Sequence, residues 1–219
     1  MKQEQTDDPA PDESKRQADG FSVTLKQDAL EECDNARSPM VRGTRLYLRE
    51  VRQSDVTERY YRWLQDPEVN RYLETRFVLW SLEKIAEYVS RMDGKQDEVF
   101  FAICTLEDDE HIGNIKVGPI NRMHQHADVS LLIGEKQYWG KGYATEAIAL
   151  ATRYAFETLN LNKLKAGCYA ENEGSARAFE KCGYRREGLL RGHYFINGSE
   201  TDAVQLGLRV ADYWEQVRK

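Results

Sequence analysis

The stretch Leu131-Leu-Ile-Gly134-Glu-Lys-Gln-Tyr-Trp-Gly140-Lys-Gly142-Tyr-Ala-Thr145 decides how this chain reads. An apolar strand runs out, a short loop carries two glycines one residue apart, and a helical pattern begins at once. Glycine permits left-handed φ values and close backbone approach, so successive N–H groups can converge on one point. That point lies at the electropositive end of the following helix, where orphan amides and the helix dipole together favour an anion. The arrangement suits a diphosphate. Two familiar phosphate loops do not fit it. A P-loop needs four residues between its first Gly and the closing Gly-Lys-Ser/Thr; here Gly134 and Gly140 enclose five, and Gly142 stands where Ser or Thr belongs. A dinucleotide fingerprint needs a third glycine at the place of Thr145, after a first strand rather than a fourth. Taken alone, the glycines are equally compatible with a plain strand-to-helix turn.

Working outward, the pattern before the loop alternates as strands. Arg45–Val51 reads as a first strand, and Val99–Thr105, His111–Gly118 and Ala127–Gly134 as three more. The acidic turn Glu107–Glu110 joins the first two of that trio as antiparallel neighbours. Between them, Ser54 is expected to cap a helix with the stripe Val56, Tyr60, Trp63 and Leu64, ended by Asp66-Pro67. A second helix is expected from Ser81, with Ile85, Tyr88, Val89 and Met92 on one face. After the loop, a long helix from about Lys141 to Leu159 leads into the strand Lys163–Ala170, which implies a parallel, right-handed crossover. A short helix presents Ser175, Ala178, Phe179 and Cys182 and stops at Gly183. Arg185–Ile196 and Glu200–Val210 flank Asn197-Gly198, a strong hairpin signal. The order is β-α-α-β-β-β-α-β-α-β-β, one mixed α/β domain.

Composition narrows the function classes. Charged residues make up 31% and hydrophobic residues 41%, the balance of a soluble globular protein. No apolar run reaches a membrane span and no signal-peptide core opens the chain, so the expected address is cytoplasmic. The formal net charge is −6, but residues 1–38 hold ten acidic and five basic side chains. The body is nearly neutral and carries no footprint for nucleic acid. That N-terminal segment buries too little to order itself, apart from a short strand candidate at Phe21–Leu25. Cys33, Cys104, Cys168 and Cys182 form no C-x-x-C pair, and with only four His a metal site is not expected. They read as reduced thiols, mostly buried.

Gln137-Tyr-Trp-Gly140-Lys-Gly142 resembles the (Arg/Gln)-x-x-Gly-x-(Gly/Ala) signature of the GNAT superfamily of N-acetyltransferases. Thirty residues after Gly142, Asn172-Glu-Gly-Ser175…Phe179-Glu-Lys181-Cys-Gly183-Tyr184 resembles its second motif, Asn-x-x-Ser/Ala…Gly-Phe/Tyr. The resemblance spans Thr44 to Val210. It is closest to the branch of ribosomal-protein N-terminal, spermidine and amino-sugar acetyltransferases. It implies a single GNAT-like α/β (α+β) domain over 41–219, after an acidic, largely disordered tail over 1–40. The sheet would be mixed and mostly antiparallel, with a parallel crossover from the fourth strand to the fifth and helices on both faces.

The resemblance also implies acetyl-CoA as co-substrate, with no metal. Its pantetheine arm would lie along the main chain of Leu131, Leu132 and Ile133. Its diphosphate would sit at the loop of Gln137, Tyr138, Trp139, Gly140, Lys141, Gly142, Tyr143 and Ala144, and Asn172, Ser175, Phe179 and Lys181 would complete the site. The implied partner is a primary amine on a small molecule, an amino sugar or a polyamine; a homodimer is compatible with this. The alternatives are a protein N-terminal amine or a non-catalytic acyl-CoA-binding module.

The chemistry needs a base, because an amine of pKa near 10 is protonated at neutral pH. Asp128, on the strand face opposite Val129, Leu131 and Ile133, is the first candidate, with His126 and His193 as alternatives. Relatives protonate the departing thiolate with a Tyr that is Phe179 here; the N-terminal acetyltransferase branch uses the place of Ser175, and that residue is the candidate. That branch also carries a Glu where this chain has Tyr194. Tyr60, Tyr61, Trp63, Tyr72, Phe77 and Trp80 belong to the region that shapes the acceptor pocket in relatives, and Asp66 and Glu74 could attract a cationic amine.

Overall fold

A computed structural model describes residues 40–218. The N-terminal expectations, including the Phe21–Leu25 strand and Cys33, lie outside the described residues. Eight strands form one sheet in the order β1-β2-β3-β4-β5-β6-β8-β7. They are β1 (Val41–Arg42), β2 (Leu46–Glu50), β3 (Val99–Thr105), β4 (His111–Val117), β5 (His126–Ile133), β6 (Lys163–Tyr169), β7 (Arg185–Ile196) and β8 (Ser199–Arg209). Every neighbouring pair is antiparallel except β5 and β6, the parallel crossover. The α-helices among the described residues are α1 (Glu58–Gln65), α2 (Leu82–Met92), α3 (Tyr143–Glu157), α4 (Glu173–Lys181) and α5 (Val210–Val217).

Alternation along β5 sorts the core into two layers. Ala127, Val129 and Ile133 are buried with Ile148, Ala151 and Ala155 of α3 and Ala176 and Phe179 of α4. Leu132 points the other way, onto Tyr60, Trp63 and Leu64 of α1 and Ile85 and Val89 of α2. Helices therefore cover both faces, each along its apolar stripe. The remaining described cysteines are free, Cys104 and Cys168 buried and Cys182 half-buried.

Several element ends differ from expectation for local reasons. Thr57, not Ser54, caps α1, its side chain accepting from the Tyr60 N–H. Ser54 lies instead in a separate 3-10 turn, Gln53–Asp55. The buried Asp55 carboxylate accepts from Arg49 at 2.7 Å and from the Arg52 N–H at 2.7 Å, which closes that turn before α1 begins. Helix α3 starts at Tyr143 rather than Lys141, because Gly142 is left-handed at φ +84°. Strand β8 ends at Arg209, one residue before the expected Val210, and α5 follows where no element is expected. The hairpin at Asn197-Gly198 forms as read, with φ +52° and +81°.

Strands β5 and β6 pair only through His126–Asp128 and Lys163–Lys165. Beyond them β5 stays with β4 as far as Ile133, while β6 stays with β8 as far as Tyr169. Each strand follows its antiparallel partner, and the sheet opens into a wedge. Among the described residues, the edge of β5 from Val129 onward has no strand partner on that side.

Candidate active site

The floor of the wedge is the glycine loop. Gly140 (φ +70°) and Gly142 (φ +84°) both hold left-handed backbone that L side chains rarely adopt. No side chain caps α3. Its first intrahelical bond runs from the Glu146 N–H to the Gly142 carbonyl at 3.0 Å, so the N–H groups of Tyr143, Ala144 and Thr145 come before it. Those three N–H groups have no intrahelical acceptor, the condition under which a helix N-terminus can receive an anion. Behind the loop, the Arg45 guanidinium donates to the Lys141 carbonyl at 3.0 Å and to Glu146 at 2.9 Å, and stacks on the Tyr143 ring at 4.3 Å. Glu146 also accepts the N–H groups of Thr44, Arg45 and Leu46. Burial acts to raise this carboxyl, but those main-chain donors and Arg45 outweigh it and hold it below the usual range. Arg45, just before β2, thus ties down the loop from about a hundred residues away.

Two cavities open from the wedge. The first, of about 620 Å³, runs along Leu131, Leu132 and Ile133, past Tyr138, Trp139, Gly140, Gly142, Tyr143 and Ala144, to Asn172, Ser175 and Lys181. The second, of about 430 Å³, lies under α1 and α2 and is walled by Tyr60, Trp80, Tyr88, Phe100, Tyr169 and Tyr194, with Glu74 and Asn114 among them. Both are lined by Tyr72, Leu73, Leu131, Leu132, Asn172 and Ser175. They meet where β5 and β6 part.

Comparison with known proteins gives this geometry a family. The acetyltransferase (GNAT) domain family matches residues 45–185. The chain belongs to the GNAT acetyltransferase family. It is 33% identical over 180 residues to the probable N-acetyltransferase YjcK of Bacillus subtilis, covering 77% of this chain and 96% of that one. It is 34% identical over 119 residues to the spermidine N(1)-acetyltransferase of Escherichia coli, covering 54% of this chain and 62% of that one. Among solved structures it is similar to spermidine N-acetyltransferase from Vibrio cholerae in complex with CoA and spermine. The TM-score is 0.71 at 25% identity, over 78% of this chain and 99% of that one.

In this acetyltransferase the candidate residues separate cleanly. Gln137 and Lys141 are exposed and line neither cavity; Lys141 contributes its main chain to the loop instead. Phe179 is buried edge-on against Tyr184 and lines the second cavity, not the first. Asn172 caps α4, accepting from the Ser175 N–H at 3.2 Å, so capping does not need the Ser175 hydroxyl. Asp128 is not brought to the wedge. It lies at the closed end, where β5 still pairs with β6, and its carboxylate meets Lys165 at 3.0 Å. His126 and His193 line neither cavity either. Asp66 is held by Lys136 at 2.8 Å, and Phe77 is exposed beneath Arg76.

The carboxylate that does reach the second cavity is Glu74. The Tyr169 O–H donates to it at 2.7 Å, and Arg76 donates to the same hydroxyl oxygen at 2.9 Å. Burial, then the Glu74 contact, push the Tyr169 hydroxyl up, which keeps it protonated as a donor. Tyr169 is stacked on Tyr194 at 4.0 Å and tilted against Tyr72 at 5.6 Å. The sequence reading named neither Tyr169 nor Arg76. Tyr169 was findable, because side chains at the carboxyl ends of parallel strands line the crevice where a sheet opens. Among the described residues no group of three or more His, Cys, Asp or Glu could hold a metal, and no helix is long and apolar enough to cross a membrane.

Proposed function

We propose that this chain transfers the acetyl group of acetyl-CoA to the primary amine of a small molecule. The observation that carries the reading is the junction of the two cavities at Leu131, Leu132, Asn172 and Ser175. The donor enters from the glycine loop and the acceptor from under α1 and α2. Acetyl-CoA supplies a thioester carbonyl; the loop amides and Lys181 hold its phosphates, and the unpaired edge of β5 holds the pantetheine arm. Main-chain N–H groups of that edge offer donors to the oxyanion of an addition step. Glu74 attracts the ammonium group and takes up its proton through water. It replaces Asp128 in the role of base. Ser175 and Tyr72, both hydroxyls at the junction, donate to the departing thiolate in place of the Tyr missing at Phe179.

The second reading is a polyamine acceptor, favoured by the relatives named as spermidine N-acetyltransferases. A thiol-release assay with acetyl-CoA against amino sugars, polyamines, aminoglycosides and N-terminal peptides tests both. Turnover of at least one small amine is expected. Saturable acetyl-CoA binding without thiol release over the whole panel would instead identify a binding module, and selective turnover of peptides would identify an N-terminal acetyltransferase.

A further inference from the structure

The acceptor cavity contains a buried donor that the transfer step does not use. Asn114, on β4, is 4% exposed and pairs across the sheet with Leu132, so it shares the face covered by α1 and α2. Its Oδ1 meets the Nε2 of His111 at 2.8 Å, and its Nδ2 has no partner among the described residues. A buried N–H₂ without a partner is costly, and such groups in native proteins are nearly always matched by protein, water or ligand. This one lines the cavity with Glu74.

The amide is held in place from behind. His111 is wedged edge-on against Trp63 at 5.0 Å and Tyr60 at 6.1 Å. On its other side, 3.8 Å from Nδ1, stands Asp55, itself gripped by Arg49 at 2.7 Å. Burial pushes the imidazole pKa down, so it stays neutral with one ring hydrogen. With Oδ1 placed against Nε2 at 2.8 Å, the matching tautomer carries its hydrogen on Nε2 and the Asn114 oxygen accepts it. That leaves the N–H₂ without a partner among the described residues, in the wall of the cavity. Thr75, whose buried Oγ1 also has no partner among the described residues, lines the same cavity.

Resting on the acetyl-transfer reading above, we infer that Asn114 selects the acceptor by donating a hydrogen bond to an oxygen atom on the amine substrate. The acceptor is then an oxygen-bearing amine, with a hydroxyl, ether or carbonyl oxygen within reach of Asn114 when its nitrogen is near Glu74. Protonated polyamine nitrogens bring only N–H donors and leave the Asn114 amide unpaired. Sites built to bond a polar group discriminate strongly against analogues that lack it, whereas a methylene alone discriminates weakly.

The test uses the full chain, acetyl-CoA and amine pairs that differ by oxygen for methylene: 2-methoxyethylamine against butylamine, 3-methoxypropylamine against pentylamine, and 4-aminotetrahydropyran against cyclohexylamine, with spermidine alongside. Wild-type kcat/KM is expected to favour the oxygen member of at least one pair by about tenfold or more, and to exceed that for spermidine. In Asn114→Leu the ratio within that pair is expected to fall to within about threefold of unity, while calorimetric acetyl-CoA affinity reports that the fold is kept. Asn114→Asp, which turns a donor into an acceptor, is expected to move preference toward spermidine. Equal rates within every wild-type pair, a wild-type preference for spermidine, or a ratio unmoved by Asn114→Leu would overturn the role of Asn114 and leave acetyl transfer standing. Absence of thiol release with every amine would overturn both. The wild-type comparison needs no variant, so it holds even where a variant fails to fold.

Discussion

At the residue scale, Gly142 carries the largest consequence for the smallest side chain. Its φ of +84° is strained for any L residue, and an added Cβ would also lie 3.5 Å from Arg45. Gly142→Val is expected to weaken acetyl-CoA binding by about tenfold or more, read by calorimetry, because the amides of Tyr143–Thr145 lose their common direction. Affinity within twofold of wild type would remove the loop assignment. The carboxylates separate in the same way. Glu74 lines the acceptor cavity and Asp128 is tied to Lys165. Glu74→Gln is therefore expected to lower kcat/KM about 10²-fold and Asp128→Asn less than about twofold, the scale of a lost general base against a surface ion pair. The reverse order would restore Asp128 as the base. Nothing local to either sequence position distinguishes these two acids. Alternation correctly put Asp128 on the face opposite Val129, but only the end of β5–β6 pairing tells which part of that face opens into a cavity.

At the element scale, the start of α1 offers a direct comparison of two candidate caps. Thr57 accepts the Tyr60 N–H, whereas Ser54 lies in the preceding turn. Thr57→Ala is expected to cost about 1 kcal/mol in urea denaturation, and Ser54→Ala under about 0.5 kcal/mol. Equal losses would mean that the turn and α1 fold as one capped unit. Periodicity found the apolar stripes of α1 and α2, because Tyr60, Trp63, Ile85 and Val89 bury one face each. The cap was misread because Asp55 is engaged by Arg49, a side chain from β2 that no spacing rule supplies. Helix α5 was missed for a similar reason. Val210 and Tyr213 pack onto the main core, but eight residues give too short a pattern to separate from the strand before them.

At the scale of the whole molecule, the wedge divides one sheet into two wings joined by three residue pairs of β5 and β6. A ligand that fills the opening replaces missing contacts and binds only the folded state. At a hundred times its Kd, acetyl-CoA is expected to add about 2.7 kcal/mol, which for a domain of this size corresponds to a rise in Tm of about 5–10 °C. Scanning calorimetry checks this, and in Gly142→Val at the same concentration the rise is expected to fall to about half or less. An undiminished rise in that variant would put the cofactor elsewhere on the molecule.

The sequence by itself determined the strand and helix order from β2 to β8, the parallel crossover and the glycine loop at the start of α3. These depend on residues within a few positions of one another: apolar periodicity, Gly140 and Gly142, Asn197-Gly198, and the cap at Asn172. What only the tertiary structure decided is which side chains share a cavity. Glu74 meets Tyr169 across 95 positions, Arg45 meets Glu146 across 101, and Asn114 is oriented through His111 in front of Asp55. Such contacts are made when separate strands and helices pack, and chain spacing carries no record of them.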